Sequence, residues 1–142
     1  MAPPADLASW TAGLITRSGE ETERAAEAFA ALLPPDTVLT LQGELGTGKT
    51  TFVRGLVRGL GVTGDITSPS FALLNIHEGS RLVFHVDAYR LKSGAGLDDL
   101  MIWDVAKSPW NVLVEWPERV ATHLPRGLWK LKTSILADGG HR

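Results

Sequence analysis

Cysteine is absent from the 142-residue chain, so neither a disulfide nor a thiolate metal site is open to it. That absence suits a reducing cytosol. No stretch approaches the roughly 18 consecutive apolar residues that a membrane span requires. The opening "MAPPADLASW" also lacks both the basic and the apolar segments of a secretory leader. A cytoplasmic protein with no membrane attachment is therefore expected. An excess of one sign of charge is missing as well. Fourteen Lys and Arg stand against sixteen Asp and Glu, for a formal charge of -2, which leaves no basic footprint for nucleic acid. Any role on RNA is expected to run through a partner. Internal repeats and low-complexity segments are also lacking. What remains is an ordinary globular composition, 44% hydrophobic and 21% charged, with a length that suits one domain over residues 1–142.

Several elements are legible. "AGLIT" has the composition of a short strand. Ser18 with Glu21 reads as a capping box opening a helix over "SGEETERAAEAFAALL", which Pro34 and Pro35 stop. "DTVLTLQ" is short, apolar and β-branched, as a strand should be, and "KTTFVRGLVRGLG" reads as a helix ending at Gly59 or Gly61. "FALLNIH" and "RLVFHVD", joined by "EGS", predict a β-hairpin. "LKSGAGLDDLMIWDVA" suggests a loop entering a short helix, and "NVLVEW" a strand closed by Pro117. Behind "WKLKTSIL" the glycines of "ADGGHR" resemble a hairpin turn with no returning strand. An unpaired strand with an exposed edge is thus expected over residues 129–136, as if a C-terminal hairpin were cut after 136.

Between the second strand-like run and its helix lies "LQGELGTGKTTF", in which Gly43, four variable residues and Gly48-Lys49-Thr50 fit the phosphate-binding pattern G-x-x-x-x-G-K-[ST]. Such a pattern arises by chance in roughly one chain of this length in two hundred. Its strand–loop–helix setting lowers those odds further. The chemistry fits the residue types. Gly43, Gly46 and Gly48 let the backbone wrap closely, so that the amides of Glu44, Leu45, Thr47 and their neighbours face phosphate oxygens. The helix starting near Lys49 adds its positive end, Lys49 reaches the terminal phosphates, and the Thr50 hydroxyl, followed by Thr51, is placed to ligate Mg²⁺.

A phosphate loop of this type needs a carboxylate for its metal. Asp87 ends "LVFHVD" and Glu115 ends "NVLVE". If both strands run parallel to residues 37–42, the three ends meet at one sheet edge, where open α/β sheets gather their ligands. Thr50, Asp87 and Glu115 then surround one cation, and the hairpin makes the sheet mixed. Thr67, Ser68 and Ser70 supply hydroxyls beside Pro69 that suit a γ-phosphate sensor, though an ordinary connection explains them equally well. His77 and His85 pair with nothing at metal-ligand spacing and read as structural. Trp103 and Trp110 read as core or partner surface.

"SGEET", "LQGELGTGKTTFVRGLVRGLGV", "ITSPSF", "FHVDAYRL" and "LVEWPER" follow one another in this order, spanning residues 18 to about 125. Together they resemble the TsaE (YjeE) family of P-loop ATPases, which serve bacterial tRNA threonylcarbamoyladenosine biosynthesis. The resemblance implies a single-domain α/β P-loop NTPase fold, with a mixed, mostly parallel sheet flanked by helices. It implies ATP, ADP and Mg²⁺ as ligands, weak intrinsic hydrolysis, and docking on the TsaB–TsaD pair, whose TsaD attaches the threonylcarbamoyl group to tRNA. Hydrolysis would reset that pair, with tRNA contacted only through the partners and the chain monomeric by itself. Carried over by residue, Lys49 holds phosphates, while Thr50, Asp87 and Glu115 arrange the metal and its waters. Ser70 belongs to a switch element, Arg90 and Trp116 flank the site, and Thr22 lies near the adenine. Lys49, Asp87 and Glu115 are the expected catalytic set.

One departure is Met101 in "LDDLMIW", where the family has glycine, with Trp103 beside it. Neither an arginine finger nor a water-orienting glutamine is evident, so slow turnover that rises with a partner is expected. A small-molecule kinase using the same loop is disfavoured because residues 92–110 hold no arginine for a lid. A nucleotide-gated binding module, with hydrolysis incidental, is the third reading.

Overall fold

The computed structural model describes residues 7–43, 48–62, 74–90, 102–120, 124–125, 127–135 and 140–141. At its centre lies a five-stranded sheet of β1 (Thr37–Gln42), β2 (Leu74–Glu78), β3 (Leu82–Asp87), β4 (Trp110–Glu115) and β5 (Trp129–Lys132), in the order β2-β3-β4-β1-β5. β3, β4, β1 and β5 are parallel, and β2 is antiparallel to β3. The mixed, mostly parallel sheet and its hairpin are as the sequence predicts. β1, β3 and β4 are mostly apolar and buried over consecutive residues because both of their faces are covered.

Alternate side chains divide the core in two. Leu39, Leu41, Val83 and Leu113 pack beneath α2 (Gly19–Phe29) and α3 (Lys49–Gly59), against Phe29, Phe52, Val53 and Leu56. On the other face Val38, Phe84, Val86, Val112 and Val114 are covered by Ile102 of the short α4 (Ile102–Val105), by Ala88 and by Val120. Among the described residues no helix is long and apolar enough to cross a membrane.

Ser18 caps α2 by accepting from the Glu21 amide at 3.1 Å, and the Glu21 carboxylate accepts in turn from the Arg17 amide at 2.6 Å. The capping box thus closes one residue earlier than its usual reciprocal form. α2 and α3 lie unusually close. A Cβ added at Gly55 would sit 2.3 Å from the Glu23 carbonyl oxygen and 2.8 Å from its Cα. Both are backbone atoms that cannot swing aside. Gly55→Ala therefore loses stability by about 1–3 kcal/mol through overpacking, despite the roughly 1 kcal/mol that alanine gains over glycine in a helix. Chemical denaturation of the variant checks this.

Two expectations need correction. "AGLIT" forms no strand: α1 (Leu7–Ala12) occupies its start, Gly13 turns the chain at φ 103, and only Thr16 makes a β-bridge. The apolar stretch left after the glycine is too short for a ladder. The strand expected unpaired over residues 129–136 is Trp129–Lys132, paired along its length with β1. Residues 136–139 lie outside the described residues, and beyond them His141 makes isolated antiparallel bridges to Ile135 and Thr16. Met101 and most of the segment before α4 lie outside the described residues. Trp110 packs partly against the second core cluster, and Trp103 is exposed with its ring edge-on to Trp110 at 5.6 Å.

Candidate nucleotide site

β1, β4 and β3 end together. Leu41 is in register with Glu115, and Glu115 with Asp87. The two acids therefore stand on neighbouring strands about 4.8 Å apart, at the carboxyl edge where β1 gives way to the glycine loop. Gly48 takes the left-handed conformation, φ 98, as the N-cap of α3, and no side chain caps that end. Glycine reaches this conformation without the steric penalty that a Cβ brings. Of the predicted phosphate-binding residues, Gly43, Gly48, Lys49, Thr50 and Thr51 are described, with Thr50 exposed. Glu44, Leu45, Gly46 and Thr47 lie outside the described residues, as do Thr67, Ser68 and Ser70 of the expected switch loop.

Lys49 is buried, 6% exposed. Its ammonium donates to the Gly43 carbonyl and lies 3.6 Å from the centre of the Trp116 ring. Burial lowers its pKa, and the negative charges of Glu115, Glu118 and Asp87 act against that lowering. The lysine thus faces three carboxylates. Trp116 reaches it through a left-handed backbone, φ 59, and its ring lies 5.1 Å from that of the exposed Tyr89. The Tyr89 amide donates to Asp87 Oδ1 at 3.1 Å. Glu115 is buried, and its Oε2 lies 2.6 Å from His85 Nε2.

Beside Gly48 opens a cavity of about 700 Å³. Trp10, Phe29, Phe52 and Trp129 give it an apolar wall, while Thr16, Thr22 and His141 add polar groups. The hydroxyls of Thr16 and Thr22 are 2.6 Å apart. Thr22, expected near an adenine, thus lies on the wall of a cavity that reaches the phosphate loop. Its aromatic and polar lining suits a flat heteroaromatic group.

Sequence reasoning overlooked four features here. His85 was set aside for lacking metal-ligand spacing, yet it lies two residues before Asp87 and so on the same face of β3. Glu118 shares the electrostatics of Lys49. His141 stands so near the loop that a Cβ on Gly48 would come within 3.1 Å of its Nδ1. The aromatic wall gathers residues remote in sequence, with no local signal to announce it. His77, opposite Val83 on β2, is half-buried, and burial with His85 nearby lowers its pKa. Its Nε2 has no hydrogen-bond partner among the described residues.

Comparison with known proteins decides the family. A family model described as threonylcarbamoyl adenosine biosynthesis protein TsaE matches residues 16–140. The chain belongs to the TsaE family. A tRNA threonylcarbamoyladenosine biosynthesis protein TsaE from Treponema pallidum is 38% identical over 125 residues, covering 88% of this chain and 93% of that protein. The TsaE protein of Streptomyces coelicolor is 44% identical over 109 residues, 73% of this chain and 72% of its own length. A crystal structure of YdiB from Bacillus subtilis is similar with a TM-score of 0.72 at 31% identity, over 90% of this chain and 79% of that one. The P-loop α/β fold expected of a TsaE protein is the fold observed.

Proposed function

We propose that this TsaE-family chain is a slow Mg²⁺-dependent ATPase that serves the threonylcarbamoyladenosine modification of tRNA in the cytoplasm. It would act on a TsaB–TsaD pair and reset that pair by hydrolysis. One observation carries the nucleotide part of this reading. The ends of β3 and β4 bring Asp87 and Glu115 into register beside the lysine that opens α3.

In this reading the base enters the cavity beside Gly48, between the aromatic wall and the Thr16–Thr22 pair, and the phosphates reach the open end of α3. Lys49 exchanges the Gly43 carbonyl and the Trp116 ring for phosphate oxygens, a stronger charge-assisted contact. The hard oxygen donors of Thr50, Asp87 and Glu115 suit Mg²⁺. That ion keeps several waters and needs only one or two carboxylates beside the phosphates. This fits the finding that no group of three or more His, Cys, Asp or Glu could hold a metal among the described residues. Bound there, Mg²⁺ would neutralise charge developing on the phosphates. Asp87 serves the metal, and Glu115 orients the attacking water. Arg90 and Trp116 would have supporting or partner-contact roles beside the site, and Ser70 would sense the γ-phosphate. No arginine finger is evident in the sequence, so turnover stays slow until partner binding orders the site.

The test is tRNA modification by a limiting, purified TsaB–TsaD pair. With this protein and ATP present, modified tRNA should accumulate well past a single round per pair. With Lys49→Ala it should stall. Equal accumulation with and without the protein would refute the role.

A further inference from the structure

Glu115 is a carboxylate almost wholly removed from water, and the structure gives it one hydrogen-bonding partner among the described residues. His85 Nε2 stands 2.6 Å from Oε2, with the two side chains 1% and 8% exposed. The opposite ring nitrogen, Nδ1, is buried with no hydrogen-bond partner among the described residues. A neutral imidazole carries one N–H and one bare nitrogen. A buried N–H without an acceptor is costly, so the proton belongs at Nε2, where an acceptor waits. The ring therefore donates to Oε2, which leaves Oε1 as the Glu115 oxygen free for a water. Register places the histidine beneath the site: His85 is opposite Leu113, one alternation short of the Asp87–Glu115 pair and on the same sheet face.

We propose that His85 is a positioning residue, whose Nε2–H bond to Oε2 locks the Glu115 carboxylate so that Oε1 faces the water that attacks the γ-phosphate. This rests on the reading of Glu115 as the water-orienting group and assigns His85 no contact with nucleotide or metal. An ordinary buried pair would need the bond only for packing. Positioning requires an N–H at one place, and two substitutions separate these roles. Glutamine carries its amide nitrogen the same number of bonds from Cβ as Nε2, whereas asparagine carries it at the reach of Nδ1.

The experiment measures ATP turnover with the TsaB–TsaD pair, ADP affinity, and the long-range ¹H–¹⁵N spectrum of the His85 ring. His85→Leu should lower kcat by about 10- to 100-fold, the range for groups that orient a ligand from behind, with ADP affinity unchanged. His85→Gln should recover most of that loss and His85→Asn little. His85→Leu should add almost nothing on the Glu115→Gln background, because His85 acts only through that carboxylate. The wild-type spectrum should show the proton on Nε2. Equal activity in the Gln and Asn variants, multiplicative losses in the double variant, or a proton on Nδ1 alone would each overturn the proposal. If His85→Leu does not fold, the Gln–Asn comparison and the spectrum still decide. An active His85→Leu beside a dead Glu115→Gln sinks this proposal alone. A fully active Glu115→Gln sinks the underlying reading together with it.

Discussion

Alanine at Lys49 should weaken ATP binding about tenfold or more, since each charge-assisted hydrogen bond is worth roughly 1.5–3 kcal/mol and about 1.4 kcal/mol is a factor of ten. The surroundings add to the loss. Asp87, Glu115 and Glu118 all act electrostatically on this ammonium, and without it the same carboxylates face an incoming polyphosphate unopposed. Two of the contacts of Lys49, the Gly43 carbonyl and the Trp116 ring, are neutral. Exchanging these two for phosphate oxygens gains charge-assisted contacts. Calorimetric titration of both proteins with ATP and Mg²⁺ measures the difference. Equal affinities would remove the phosphates from the end of α3.

Glutamine at Glu115 should act on the other kinetic constant. Turnover should fall by about 10²–10⁴-fold, the range for losing a positioned group that handles a proton, with nucleotide affinity close to that of the parent. The substitution conserves volume, and the amide oxygen still accepts from His85 Nε2–H, so the buried pair survives in outline. What disappears is the charge and the second acceptor that a water needs. Lys49→Ala chiefly lowers affinity and Glu115→Gln chiefly lowers kcat, so measuring both constants in each variant separates binding from chemistry. A Glu115→Gln protein with parental turnover would transfer the water-orienting role elsewhere.

The legible part of this molecule was local. Gly43 through Thr50 announce a phosphate loop because strand, glycines and helix are contiguous, and "LVFHVD" and "NVLVE" each end a mostly apolar run in one acid. Once the loop implied parallel strands, the meeting of Asp87 and Glu115 followed from topology. The Ser18–Glu21 cap and the hairpin turn are likewise set by residues a few positions apart. The illegible part is made by long-range packing. Trp10, Phe29, Phe52 and Trp129 form one wall only because α1, α2 and α3 cover β1 and β5. His141 meets Thr16 and Gly48 across almost the whole chain. His85 was within reach of sequence reasoning, since the two-residue period of β3 sets it on the face of Asp87. Metal-ligand spacing alone gives no signal for it.

The central claim is that phosphoryl chemistry at the β1–α3 junction is coupled to a partner. Steady-state hydrolysis of ATP with Mg²⁺, measured for the protein alone and again with the purified TsaB–TsaD pair, tests it most directly. The account predicts slow turnover alone, a rise when the pair is added, and loss of both in Glu115→Gln. Fast turnover indifferent to the pair, or nucleotide binding without hydrolysis in either setting, would contradict it.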